Sequence, residues 1–280
     1  MNILVTGAQG FIGRHLLEEL NKRGHRTFPS SRKDRNGFLK LDVQRPQQML
    51  QMIKELKLDV AVNLAWHTSG GDYLTSPVNG EALEWNREFF KIVRDSSIYK
   101  IVSIGSSAEY TAKSNDLSVG TNLEWLYATS KVAAHRSFVE TFNSSGIDFV
   151  WLRIFQVYGP GQSSQRFVPS LCDHIRRSRL FTLSNPNAVR DWIDVRDVAT
   201  SIAHIVEKAV EREIDIGTSY GLSNLEICNY AQQRFNLSWE LDLPLNETGL
   251  QTLVADSNSP LFHYFKPSKN LFDYLDYSLS

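Results

Sequence analysis

The chain is poor in sulfur and carries no excess of either charge. Two cysteines and three methionines occur among 280 residues, and the formal net charge is −1. Cys172 and Cys228 are too few for a disulfide framework and lack metal-site spacing, so both read as small apolar side chains and no metal is expected. Without a basic surplus there is no electrostatic basis for nucleic acid as a partner. No apolar run approaches the ~20 residues needed to span a bilayer, which argues against a membrane protein. Internal repeats, low-complexity tracts and linkers are absent as well. With Met1 directly before the first strand-like run, the expectation is a reduced, cytoplasmic protein.

What the chain does have is a large apolar fraction, 42% of residues, arranged in a regular alternation. Strand-like runs at Thr27 to Phe28, Phe38 to Leu41, Val60 to Leu64, Ile101 to Ile104 and Phe149 to Phe155 are separated by helix-length segments. Such alternation predicts an α/β fold with a doubly wound parallel sheet.

The first strand is expected at Ile3, Leu4 and Val5, followed at once by Thr6, Gly7, Gly10, Phe11, Ile12 and Gly13. A buried strand, a glycine turn and a helix are read here. Glycines let backbone approach a pyrophosphate, and the amides opening the helix receive its charge. Both glycine gaps are three residues, a variant of the usual two-then-three spacing. Farther along, Tyr127 and Lys131 stand four residues apart, which places them on one face of a helix. A cation beside a phenol favours the ionised form and equips the Tyr to exchange a proton near neutrality.

These motifs, with Asn63-Leu64-Ala65, Gly105-Ser106-Ser107, the stretch from Arg153 to Gly161 and Arg190-Asp191-Trp192-Ile193-Asp194-Val195-Arg196-Asp197, resemble the extended short-chain dehydrogenase/reductases. That family comprises nucleotide-sugar epimerases, dehydratases and reductases, and the likeness covers nearly the whole chain. It implies a Rossmann sheet with an interleaved, smaller C-terminal substrate-binding region. The expected division is 1–156 with 190–218 for the NADP-binding domain, and 157–189 with 219–280 for the nucleotide-sugar region. A loop passing near the nucleotide is expected within Asn246 to Asn258. A homodimer built on paired helices is plausible by the same likeness.

By resemblance, Gly7, Gly10, Phe11, Ile12 and Gly13 hold the dinucleotide, with Asp42, read as ending the third strand, toward the adenine and Leu64, Ala65 and Phe155 as further contacts. Lys131 also reaches the nicotinamide ribose. Ser31 stands where NAD-preferring relatives carry Asp, and Arg32 supplies a forked cation suited to a phosphate monoester, so NADPH is expected over NAD. Ser106, four residues before Tyr110, matches the catalytic hydroxyl, with Ser107 as the fallback and as a substrate contact. A hydroxyl there can donate to a developing alkoxide while Tyr127 delivers the proton. Gln156, Arg166 and Arg190 are the expected substrate contacts, Arg190 for the diphosphate. Asp194 and Asp197 read as helix caps and turn formers, and Glu109 as a strand residue facing away from Ser106. His67 reads as a solvated loop residue.

Two chemistries of the family are disfavoured. The Asp-Glu pair by which 4,6-dehydratases eliminate water is replaced by Ser107 and Ala108, and the Cys and His of 3,5-epimerase/reductases by Ala108 and Arg166. Hydride transfer at a carbonyl carbon remains. Trp66, Tyr73 and Ser76-Pro77 bring the chain nearer to the 4-ketoreductases that complete 6-deoxyhexose synthesis. The expected activity is therefore NADPH-dependent reduction of a nucleotide-linked 4-keto-6-deoxysugar. A 4-epimerase with tightly held NAD is the second expectation, and a non-catalytic cofactor-binding regulator the third.

Overall fold

The computed structural model describes residues 1–68, 72–112, 126–177, 179–183, 185–236, 241–242 and 252–280. In chain order, the first half runs β1 (Asn2–Thr6), α1 (Phe11–Lys22), β2 (Arg26–Ser31), β3 (Leu39–Lys40), α2 (Pro46–Glu55), β4 (Val60–Asn63), α3 (Val78–Arg94) and β5 (Lys100–Ser106). A short 3-10 helix (Ser107–Thr111) precedes α4 (Leu126–Phe142), β6 (Asp148–Ile154), β7 (Gln156–Tyr158), α5 (Phe167–Arg176), β8 (Phe181–Thr182) and β9 (Val189–Asp194). The remainder is α6 (Val195–Glu207), β10 (Glu213–Ile216), β11 (Gly221–Ser223), α7 (Asn224–Arg234), β12 (Leu241–Asp242), α8 (Leu261–Tyr264) and α9 (Leu271–Leu279).

Seven strands form the main sheet in the order β10-β6-β5-β4-β1-β2-β3. The expected doubly wound α/β sheet is thus present, with strand order reversing beside β1. The pairings of β1 with β2 and β4, and of β4 with β5, are parallel. All four residues of β4 are buried, as a strand covered on both faces requires. Helix α4 presents Ala134, Phe138 and Phe142 to this core, where the Phe138 ring lies 5.0 Å from Phe90 and 5.3 Å from Trp151. A ring so buried contributes about 2 kcal/mol from area alone.

The chain divides into two units, the larger of residues 1–153 and 199–214 and the smaller of 154–198 and 215–280. These seams differ from the expected 156/157, 189/190 and 218/219, and residues 190–198 fall in the smaller unit. The reason is pairing: β9 joins β7 in parallel and β11 antiparallel, forming a separate three-stranded sheet. The smaller unit has its own core, including Tyr158, Leu171, Ile227 and Leu275. Of the expected loop at Asn246 to Asn258, positions 246–251 lie outside the described residues. No described helix is long and apolar enough to cross a membrane.

Candidate active site

The turn after β1 is shaped by what a side chain would strike. Gly7 has φ +63°, and a Cβ there would lie 2.7 Å from the carbonyl of Leu64. A Cβ on Gly13 would run into the Gly7 carbonyl and lie 2.7 Å from the Ala8 Cα. Gly10 opens α1 with no side-chain cap and no acidic residue in the first turn, and its own N–H donates to the Gly7 carbonyl at 2.9 Å. The amides of Phe11, Ile12 and Gly13 are therefore presented beyond the helix end, as first-turn amides are. Backbone donors and a positive dipole end, in a turn packed too closely for a Cβ on Gly7 or Gly13, make a cradle that fits a pyrophosphate.

Beneath this cradle runs a neutral polar network. Thr6 Oγ1 donates to Asn63 Oδ1 at 2.7 Å, and Asn63 Nδ2 donates to Asn86 Oδ1 at 2.6 Å and Ser103 Oγ at 3.0 Å. The Ala65 amide donates to Thr6 Oγ1 at 3.2 Å while Asn86 Nδ2 donates to the Ala65 carbonyl at 3.2 Å. Leu64 and Ala65 are thereby fixed at the mouth of β4. Satisfied networks of this kind make a core specific, whereas one missing member leaves a costly orphan.

At the end of β2, the Ser31 hydroxyl accepts from the Lys33 amide at 3.2 Å, while Arg32 is exposed. Arg35, from the following loop, donates to the Gln9 side chain within the glycine turn. Asp42 does not close a strand as expected. Strand β3 ends at Lys40, and Asp42 instead makes an Asx turn, accepting from the Gln44 amide at 3.1 Å and pairing with Arg45 at 3.5 Å.

Ser106, Tyr127 and Lys131 all belong to the larger unit. Ser106 ends β5 and caps the 3-10 helix: its Oγ accepts from the Ala108 amide at 3.2 Å, and Glu109 Oε1 accepts from its N–H at 2.8 Å. This reciprocal capping box fixes the serine's backbone. Glu109, expected on a strand, lies in the 3-10 helix with its side chain buried against Trp151 and ion-paired to Arg153 at 3.0 Å. Gly105 has no side chain because a Cβ would collide with Glu109 and Trp151. Burial raises the Glu109 pKa, and Arg153, the Ser106 amide and Lys131 oppose that rise.

Tyr127 and Lys131 share a face of α4, and one indole touches both. The Lys131 Nζ lies 3.9 Å from the Trp66 ring centroid, and the Trp66 and Tyr127 rings meet edge to face at 6.4 Å. Tyr73 adds a second edge contact to Tyr127 at 5.3 Å. Both helix residues are buried, Tyr127 8% and Lys131 3% exposed. Lys131 Nζ donates to the Ile104 carbonyl at 2.8 Å, which ties it to β5 two residues before Ser106. Burial pulls the Lys131 pKa down to about 7, against an opposing pull from the Glu109 carboxylate. A lysine poised at neutrality beside a tyrosine is suited to proton exchange at a substrate oxygen.

Ser107 opens the 3-10 helix in the larger unit, and the other expected contacts lie in the smaller unit. Phe155 is buried, its amide donating to the Ile216 carbonyl at 3.1 Å. Half-buried Gln156 opens β7 opposite Trp192, and Arg166 stands at the N-terminal boundary of α5. Arg190 lies on β9, with Nη1 donating to the Val189 carbonyl at 2.8 Å, and burial lowers its pKa. Its neighbour Asp191, fully buried, accepts from the amides of Thr218, Ser219 and Ala255 at 2.8, 2.8 and 3.2 Å. Asp194 caps α6 as expected, accepting from the Arg196 amide at 2.8 Å. Asp197, in the first turn of α6, also accepts from the amides of Ser268 and Lys269, both at 2.9 Å, and so anchors the C-terminal segment. Among the described residues no group of three or more His, Cys, Asp or Glu is placed to hold a metal. Cys172 and Cys228 are buried free thiols.

The sequence model of the NAD dependent epimerase/dehydratase family matches residues 3–217. The chain belongs to that family. CDP-abequose synthase of Salmonella typhimurium is 24% identical over 250 residues, covering 82% of this chain and 79% of that protein. GDP-6-deoxy-D-talose 4-dehydrogenase of Aggregatibacter actinomycetemcomitans is 27% identical over 241 residues, covering 81% and 78%. The crystal structure of Thermotoga maritima UDP-glucose 4-epimerase with UDP-glucose superposes with a TM-score of 0.81 at 18% identity, over 100% of this chain and 97% of that one. That last likeness is one of fold.

Within this epimerase/dehydratase-family chain, sequence reasoning passed over three residues that shape the site and put a fourth, Glu109, on a strand. Asn86 and Ser103 complete the network under the cradle, Glu109 holds Ser106, and Asn79 fixes Trp66 by accepting from its Nε1 at 2.9 Å. A polar residue inside an apolar run, such as Ser103 within Ile101 to Ile104, was the available signal. The partners of Glu109 and Asn79 lie on other elements and left no local mark.

Proposed function

We propose that the protein is an NADPH-dependent reductase that converts the C4 ketone of a nucleotide-linked 4-keto-6-deoxysugar into an alcohol. The observation that carries this reading is the buried Tyr127–Lys131 pair tied to β5 beside Ser106, followed by Ser107 and Ala108 rather than by an acid and a base. Proton delivery is equipped; elimination of water is not. The names of the two relatives agree with it, one a 4-dehydrogenase of a 6-deoxysugar nucleotide and the other a synthase of a CDP-linked sugar.

Gly7, Gly10, Phe11, Ile12 and Gly13 would hold the dinucleotide's pyrophosphate, and Arg32 its 2′-phosphate. The bound reduced nicotinamide supplies a hydride to the carbonyl carbon. Tyr127 Oη donates the proton that the carbonyl oxygen takes up, and the Lys131 ammonium favours the phenolate left behind until solvent returns a proton. Because Ser106 Oγ accepts from the Ala108 amide, its own hydrogen points elsewhere and can donate to the same developing alkoxide. Arg190 and Arg166 would take the substrate diphosphate and Gln156 a sugar hydroxyl.

The second reading is a 4-epimerase that oxidises and re-reduces one carbon on bound NAD, and the fold likeness to UDP-glucose 4-epimerase favours keeping it in the test. Purified protein is incubated with NADPH and 4-keto-6-deoxyhexoses carried on CDP, GDP, dTDP and UDP. Consumption of NADPH equal to alcohol formed is expected with one nucleotide series. Interconversion at C4 of an intact nucleotide hexose, with no net loss of NADPH, would reject the reductase and establish the epimerase.

A further inference from the structure

The Lys131 side chain is buried, yet no carboxylate among the described residues pairs with it directly. Its Nζ has the Ile104 carbonyl at 2.8 Å on one side and the face of Trp66 at 3.9 Å on the other. That ring is itself held. Asn79, 1% exposed, accepts from Trp66 Nε1 and donates to the carbonyls of Tyr73 at 2.7 Å and Ser76 at 2.9 Å. One amide thus ties together residues 73–76 before α3 and the indole above the ammonium. The geometry points to Trp66 as a positioning residue: its π face holds the Lys131 side chain in place and favours the charged ammonium over the neutral amine, with Asn79 fixing the ring.

The ring quadrupole is the physical reason. An aromatic face attracts a cation more strongly as water is excluded, without the desolvation cost of burying a carboxylate partner. Among the described residues, other charges on the elements packed around Lys131 have partners of their own. Glu109, from the 3-10 helix, pulls in the same direction as Trp66 but is engaged with Arg153. On α3, which packs against α4, Arg87 pairs with Glu84 and Lys91 with Glu88 at the surface. Tyr127 lies one turn away on the same helix.

This inference rests on the proposed role of Lys131 beside Tyr127, but its test does not require turnover. The Lys131 Cε carbon is followed by NMR in the cofactor-free protein, assigned with Lys131→Met. A midpoint near 7 is expected in the parent. Trp66→Leu should move it about one pH unit lower, and Trp66→Phe, which keeps a weaker π face, by less. Should Trp66→Leu fail to fold, fluorotryptophan, which thins the π face at nearly constant shape, should shift the midpoint the same way. A midpoint unmoved by Trp66→Phe and by fluorotryptophan, or one near 10 in the parent, overturns the proposal. A normal shift in a protein that reduces no ketosugar would instead reject the proposed function and leave this inference standing.

Discussion

The buried polar groups under the glycine turn of the larger unit and those around β9 of the smaller unit differ in charge. In the larger, the groups under the glycine turn are neutral: Thr6, Asn63, Asn86 and Ser103, each 3% exposed or less. In the smaller they are anionic: Asp191, Asp194 and Asp197, exposed by 0, 0 and 1%. A neutral network beside an anion's cradle leaves the positive end of α1 unopposed. Buried carboxylates instead gather amide donors, and the smaller unit uses them to hold loops that its short strands cannot pair. Asp191 draws in Thr218, Ser219 and Ala255, and Asp197 draws in Ser268 and Lys269. The carboxylate beside Arg190 is thus engaged within its own unit.

If chemistry belongs to the larger unit and substrate grip to the smaller, the two should separate under mutation. Tyr127→Phe carries the largest expected effect, a loss of about 10²- to 10⁴-fold in kcat, while NADPH binding followed by fluorescence stays nearly unchanged. An active Tyr127→Phe protein would dissolve the division. In the smaller unit, Arg190→Ala should raise the KM for the nucleotide sugar about ten- to a hundred-fold with kcat preserved, the reverse split. A fall in kcat alone would place Arg190 in the chemistry instead.

The contrast in buried polar groups is a stability claim. Asp191→Ala strands several amide donors and should cost about 3 kcal/mol in urea unfolding, against about 2 kcal/mol for Asn63→Ala. Equal losses would erase the distinction between charged and neutral anchoring. A further effect is a slope with pH. Lys131 titrates near 7 when folded and at its ordinary 10.5 when unfolded. Between those values the unfolded chain keeps a proton that the folded one has released, so this group's contribution to stability rises with pH across that window. Unfolding free energies of the parent, less those of Lys131→Met, should therefore climb from neutral pH into the alkaline range. A flat difference would mean that the ammonium is not strained by burial.

Much of the larger unit was legible before any coordinates. Val60 to Asn63 reads as a buried strand because its apolar run is continuous, and the sheet follows from repeating that pattern. The smaller unit was less so: β7 and β11 have three residues each and pair with β9, so no periodicity announces where the chain leaves the main sheet. The structural role of Asp197 was legible, but its distant partners were hidden for a related reason. An Asp near the end of an element reads as a terminator or a cap whatever it binds, and Asp197 binds amides more than 70 residues away.

Glycine spacing, apolar alternation and the four-residue interval from Tyr127 to Lys131 are local in the chain, and the sequence determined by itself the sheet, the cradle and a shared helix face. Folding alone brought Trp66 over the Lys131 ammonium, Glu109 onto Arg153 and Asn63 between Thr6 and Ser103. Those partners are 40 to 65 residues apart, so no local pattern encodes them. A proton's affinity for a side chain depends on the water excluded around it, and only the assembled interior sets how much water that is.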